Sequence, residues 1–146
     1  MTRPTASLQV REAAVGDEDA VVDLWFACGL VAAHNNPRAD FRFARDRAGS
    51  EVLIGVDADK QVIGSVMVGH DGHRGWLYYV ACAPGARGQG VGRAMVQAGE
   101  RWLTGRGVRK VHLMVRETNT AVVSFYERLG YEDMPRVLMS KWLKSE

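Results

Sequence analysis

Four glycines, Gly85, Gly88, Gly90 and Gly92, crowd into eight residues, with Arg87 and Arg93 among them. Glycine lets bare backbone N–H groups close around a ligand, and the opening of a helix adds roughly half a positive charge. The chemistry that such residues suit is the binding of a phosphate or pyrophosphate. The competing reading is a loop that only turns a strand into a helix. Two familiar phosphate loops do not fit the spacing. A Walker loop needs Gly-x-x-x-x-Gly-Lys-Ser/Thr, whereas Gly90 is followed by Val91 and Gly92. A dinucleotide fingerprint needs Gly-x-Gly-x-x-Gly, and its third glycine would fall on Arg93 or Met95. The pattern present is Arg87-x-x-Gly90-x-Gly92.

A loop of this kind needs a strand in front and a helix behind. Trp76 to Cys82 is a near-continuous apolar run, which predicts a strand covered on both faces. Val91, Ala94, Met95, Ala98 and Trp102 follow with the spacing of one helical face, up to Arg106-Gly107. Arg109 to Val115 predicts the next strand, parallel to the first through a crossover. Upstream, Leu8 to Arg11 reads as a short strand. Val21, Leu24, Trp25 and Cys28 mark a helix ended by Gly29, and Arg38 to Ala48 suggests a second, weaker one. Glu51 to Val56 and Gln61 to Gly69 predict a hairpin closed by Asp57 to Lys60, with a longer loop at His70 to Gly75. Asn119 to Leu129 predicts the last helix, with Gly130 at its C-cap, and Arg136 to Leu143 one further strand. The whole is an α+β chain, read as a tail at residues 1–7 and a single domain over 8–146.

Composition excludes several classes. The 146 residues are 47% hydrophobic and 25% charged, with a net charge of +2, as in an ordinary globular domain. Scattered arginines do not call for a nucleic-acid partner. No apolar run reaches the roughly 18 residues of a membrane span, so no membrane partner is expected. Cys28 and Cys82 do not make a disulfide framework, and a cytoplasmic setting is the expectation. No metal is expected either, since His70 and His73 lack further ligands at suitable spacing.

Arg87-x-x-Gly90-x-Gly92 after a strand, Asn119, and the run Phe125-Tyr126-Glu127-Arg128-Leu129-Gly130-Tyr131 resemble the GNAT superfamily of acyl-CoA-dependent N-acetyltransferases. The chain is most similar to the YpeA-type group of small bacterial members, through Asn36-Pro37-x-x-Asp40 and Asp71-Gly72-His73-Arg74-Gly75 followed by Tyr78-Tyr79. The resemblance implies a central mixed, mostly antiparallel sheet of six to seven strands flanked by about four helices. It implies acetyl-CoA as acyl donor and a primary amine of a small molecule, peptide or protein N-terminus as acceptor. The backbone of Arg87, Gly88, Gln89, Gly90, Val91, Gly92 and Arg93 would bind the pyrophosphate. Val80 and Cys82 would pair with the pantetheine, and Asn119 would hydrogen-bond it. Tyr126 would donate its proton to the departing thiolate, although its helical phase also suits a core aromatic, and Asn119 also suits an N-cap.

The acceptor side is less defined. A lysine-like amine must spend about 4.6 kcal/mol to be neutral at pH 7, an α-amine only about 1 kcal/mol, so the need for a base depends on the acceptor. Relatives that acetylate ribosomal-protein N-termini tend to carry a Glu where this chain has Met114. Asp71 or His73 is the candidate base, with Glu117 and, through water, Tyr79 behind them. Trp25, His34, Asn35, Asn36, Arg74 and Tyr79 are candidates to line the acceptor site, Trp25 also suiting the core. Cys82 suits burial better than nucleophilic catalysis, since no His and acid can be assigned to it. The alternative to an enzyme is a catalytically silent CoA-binding sensor or regulatory module. A homodimer is compatible with the sequence.

Overall fold

A computed structural model describes residues 8–144. They fall into two compact units, one running to Met114 and one from Val115 onward. The first contains a five-stranded sheet. Its strands are β1 (Gln9–Glu12), β2 (Ser50–Val56), β3 (Val62–His70), β4 (Gly75–Cys82) and β5 (Val111–Leu113), and they lie side by side in chain order. Neighbours are antiparallel except β4 and β5, which are parallel, as the strand–helix–strand order requires. Between β1 and β2 come helices α1 (Glu18–Ala27) and α2 (Pro37–Ala44), and between β4 and β5 comes α3 (Val91–Thr104). The second unit holds α4 (Thr120–Arg128).

Local chemistry explains most of these boundaries. In the β2–β3 turn, Asp57 Oδ1 accepts hydrogen bonds from the N–H groups of Asp59 and Gln61, both at 2.9 Å. The Asn36 side chain caps α2 through the Ala39 N–H, and Pro37 takes the first helical position, where its missing donor costs nothing. That helix stops at Ala44, four residues short of the predicted end. Helix α3 stops at Thr104, just before the predicted Arg106-Gly107.

The two faces of the sheet are covered separately. Val52, Ile54, Val56 and Ala81 pack with Val21, Leu24 and Trp25 of α1 and with Phe41 and Ala44 of α2. The opposite face meets α3 at very short range. A Cβ on Gly64 would lie 2.6 Å from Val91 Cγ1, one on Gly75 2.6 Å from Leu103 Cδ1, and one on Gly99 2.8 Å from Leu77 Cδ2.

Two expectations are corrected. The sheet has five strands among the described residues, where six to seven were implied, and Arg136 to Leu143 forms no strand. Val137, Leu138, Met139, Trp142 and Leu143 lie largely exposed. A strand needs a partner to satisfy its N–H and C=O groups, and none of the described strands pairs with this segment. The predicted tail at residues 1–7 lies outside the described residues.

Candidate functional site

Two consecutive features of β4 place the candidate residues. The first is the end of its pairing with β5. Gly75, Trp76 and Leu77 pair with Val111, His112 and Leu113, and the ladder goes no further. From Tyr78 to Cys82 the strand is paired on its β3 side alone. The backbone near Val80 and Cys82 therefore presents an open edge, and an extended ligand can add to such an edge as a strand would.

The second feature is a β-bulge. Tyr78 pairs with Met67, and the next matched pair is Ala81 with Ser65. Three steps along β4 thus oppose two along β3, which inserts one extra residue. Tyr79 absorbs the distortion with φ of +50°. Before the bulge, Gly75 and Leu77 point to α3; after it, Tyr79, Ala81 and Ala83 pack on the α1–α2 face. Without the extra residue Tyr79 would face α3.

Re-aimed in this way, Tyr79 stacks on Trp25, with ring centroids 3.8 Å apart and planes 11° from parallel. Its hydroxyl donates to Asp40 Oδ2 at 2.7 Å. Asn35 also hydrogen-bonds the phenol. Burial first, and then the Asp40 carboxylate, push the Tyr79 pKa well above that of an ordinary phenol. The Trp25 indole N–H donates to Ser65 Oγ at 3.0 Å, and that hydroxyl donates to the Tyr79 carbonyl at 2.8 Å. Trp25 is completely buried, so any molecule arriving from solvent meets Tyr79 and not the indole.

The glycine loop follows at once. Gly88 and Gly90 both take positive φ, +78° and +79°, a conformation that side-chain-bearing residues adopt at a cost. Gly90 is the N-cap of α3 and has no side chain to offer its first turn. Among the described residues none accepts a hydrogen bond from the backbone N–H of Gly88, Gln89, Gly90, Val91 or Arg93. The Gly92 N–H faces the Cys82 thiol. A Cβ on Gly85 or Gly88 would meet nothing within 4 Å. Arg87 and Arg93 are exposed and make no ion pair with a described residue. A loop of unaccepted donors with two free cations suits a pyrophosphate.

The other candidates are placed less suggestively. Asp71 Oδ1 accepts from the N–H groups of His73 and Arg74, at 2.9 and 2.8 Å, and closes the β3–β4 turn. Those backbone donors hold its pKa below the usual carboxylate range, which weakens it as a base. It borders an open hollow of about 500 Å³ whose wall includes His70, Trp76 and Tyr78. His73 is exposed at the same turn, and the Arg74 guanidinium reaches back to the His73 carbonyl. His34 is exposed in the α1–α2 connection, and the Asn36 side chain is committed to its cap. Burial raises the Cys82 pKa, which argues against a nucleophilic thiol. No cluster of three or more His, Cys, Asp or Glu side chains suited to a metal occurs among the described residues.

In the second unit Asn119 sits at the N-cap of α4, but its side chain makes no capping hydrogen bond. Tyr126 is buried, edge-on to Phe125 and Tyr131 at centroid distances of 5.0 and 5.7 Å. Burial raises its pKa to about 12. Glu117 is exposed ahead of α4.

Residues 19–131 match the model of the acetyltransferase (GNAT) family. The chain belongs to that family. It is 37% identical to an acetyltransferase of Pectobacterium atrosepticum over 93% of this chain and 96% of the relative. A Sodalis glossinidius acetyltransferase is 36% identical, over 90% and 92% of the two chains. The fold is similar to that of the aminoglycoside acetyltransferase AAC(6')-Iy in complex with a bisubstrate analogue. That match has a TM-score of 0.78 at 20% identity and covers 92% of this chain and 97% of the other. A second aminoglycoside acetyltransferase, from a soil metagenomic sample, aligns at a TM-score of 0.78 and 12% identity, over 97% and 99% of the chains. This GNAT chain is therefore an N-acetyltransferase by family, with a mixed α+β fold.

Asp40 is the residue that site reasoning from the sequence missed. It stood in the Asn36-Pro37-x-x-Asp40 pattern, but only the structure brings it to Tyr79.

Proposed function

We propose that this chain transfers the acetyl group of acetyl-CoA directly to a primary amine. The observation that carries the reading is continuous along the chain: an open β4 edge runs into a glycine loop where the N–H groups of Gly88 to Val91 and the side chains of Arg87 and Arg93 find no hydrogen-bond acceptor or ion-pair partner among the described residues. Val80 and Cys82 would pair with the pantetheine arm, and Arg87 to Arg93 would hold the pyrophosphate. One acetyltransferase of the same fold, AAC(6')-Iy, was solved both with CoA and with a CoA-linked bisubstrate analogue, which supports the donor. Acetyl-CoA supplies an acyl group already activated as a thioester.

The residues then have to manage protons. An acceptor that arrives as the ammonium first releases one proton to solvent. The neutral nitrogen then forms the new C–N bond as the C–S bond breaks, and a second nitrogen proton ends on the departing sulfur, giving the amide and the free thiol. Asn119, free of capping duty, is assigned to the pantetheine. Tyr126 is assigned to the departing sulfur. A phenol near 12 keeps its proton at neutral pH. Handing it fully to a thiolate whose thiol lies near 8.5 runs uphill by about 5 kcal/mol. Tyr126 is thus better suited to donate a hydrogen bond as charge builds on sulfur than to give up its proton outright.

Thiol release from acetyl-CoA against a panel of primary amines tests the proposal. Release accelerated by an amine, with the acetylated amine as product, is the expected result. CoA binding without acceleration by any amine would leave a CoA-binding module in its place. Tyr126→Phe should lower kcat about tenfold or more with CoA affinity unchanged, and unaltered kcat would remove Tyr126 from the mechanism.

A further inference from the structure

The contact between Tyr79 and Asp40 asks for more explanation than packing gives. A bulky residue at φ of +50° occupies a sparsely populated conformation, and such strain persists only where the surroundings fix it. Here the Trp25 stack holds the ring and Ser65 holds the carbonyl. The outcome of that arrangement is a phenol delivered to one oxygen of a carboxylate. If the contact served only to tie α2 to the sheet, the carboxylate's remaining charge would be expected to find a partner within the protein.

It does not find one. Asp40 Oδ1 accepts no hydrogen bond from a described residue. The two arginines that flank Asp40 in α2, Arg38 and Arg42, both turn away to Glu18, and Arg38 reaches Asp19 as well. Residues two apart on a helix do not face each other, which keeps their charges off Asp40. The result is a partly buried anion, half satisfied, beside an aromatic ring and without a cation among the described residues. A carboxylate oxygen next to aromatic surface is a recognition element for an ammonium group, through charge and through the ring. The bulge also fixes where this element lies. Tyr79 leaves β4 immediately before Val80, where the open edge proposed for the acyl donor begins.

We propose that Asp40, held by Tyr79, binds the ammonium of the acyl acceptor, so that the acceptor is a cationic primary amine. The inference deepens the acyl-transfer reading and rests on it for the word acceptor. The binding site itself stands on the geometry of Asp40 and Tyr79.

The test uses n-pentylammonium chloride and its uncharged isostere 1-pentanol, with saturation-transfer NMR on the full chain with and without CoA. The native protein should bind pentylammonium and not pentanol. Asp40→Asn should weaken pentylammonium binding about tenfold or more, as the loss of a charged hydrogen-bond partner does. Asp40→Glu should restore part of it, which a merely structural tie would not predict. Melting temperature and CoA affinity report whether each variant is folded. Should Asp40→Asn fail to fold, Tyr79→Phe keeps the carboxylate and removes its positioning bond, and must still shift the affinity. Equal binding of the two probes, no binding by the native protein, or affinity unchanged in the variants overturns the proposal. Asp40-dependent binding without thiol release would instead sink the acyl-transfer reading and leave the site standing. Thiol release with an amine KM indifferent to Asp40→Asn would do the reverse.

Discussion

The two faces of the β-sheet are packed on opposite principles. Against α3 the sheet removes side chains: Gly64 and Gly75 lie so close to Val91 and Leu103 that a methyl group would overlap them. Against α1 and α2 it inserts polar atoms, running from the Trp25 indole through Ser65 to the Tyr79 carbonyl, and on through the phenol to Asp40. Close apolar contact fixes a helix firmly but leaves nothing for a ligand to address. A chain of directed hydrogen bonds costs desolvation at every member, yet it can aim a functional group. The face that carries α3 therefore supplies the rigid base of the glycine loop, while the other face supplies the chemistry proposed for the acceptor.

Substitutions can break that contrast. Gly64→Val puts a branched side chain where Val91 Cγ1 would be 2.6 Å from the new Cβ, and Val91 is itself too stiff to move aside. Overpacking of this kind should cost about 3 kcal/mol, measured by urea denaturation. A loss below about 0.5 kcal/mol would mean that the α3 face is more yielding than its spacing says. Ser65→Ala removes the acceptor of a buried indole N–H and the donor to the Tyr79 carbonyl. It should cost about 2 kcal/mol and lower amine turnover more than CoA affinity, because only the polar face is disturbed. Equal losses of both would erase the division of labour.

The smallest effect concerns the outer edge of the polar face, where Glu18 of α1 pairs with Arg38 and Arg42 of α2. Hydrogen bonds from Arg42, then Arg38, lower its pKa from 4.5 to about 2. A depressed folded-state pKa contributes stability that is present above 4.5 and is lost as pH falls towards 2. Stability measured across that window should fall less steeply in Glu18→Gln than in the native chain. Identical slopes would show that the α1–α2 pair owes nothing to these ions.

What the sequence made legible depended on residues whose conformation is forced. Glycines at 88 and 90 announced a loop with positive φ, and Asp57 to Lys60 announced a turn, because few other residues suit those backbones. The apolar spacing from Val91 to Trp102 announced a helix with one buried face. The bulge at Tyr79 had no such signal. Trp76 to Cys82 is apolar throughout, so there was no alternation for an extra residue to interrupt. Asp40 was hidden for the same reason, since its partner lies 39 residues away on a strand whose phase was unknown. The segment from Arg136 to Leu143 shows the converse error: strand-like composition is no substitute for a strand to pair with.

The bulge also sets a rule for anyone who would redesign this protein. Treated as one regular strand, Gly75–Cys82 would have its odd-numbered residues on a single layer. The inserted residue means that they change layers after Leu77. A library aimed at acceptor preference must therefore take its odd positions from Tyr79 onward and leave Gly75 and Leu77 alone. Deleting Val80 would restore a regular strand and turn Tyr79 toward α3, while Ala81, still opposite Ser65, would keep its place on the α1–α2 face.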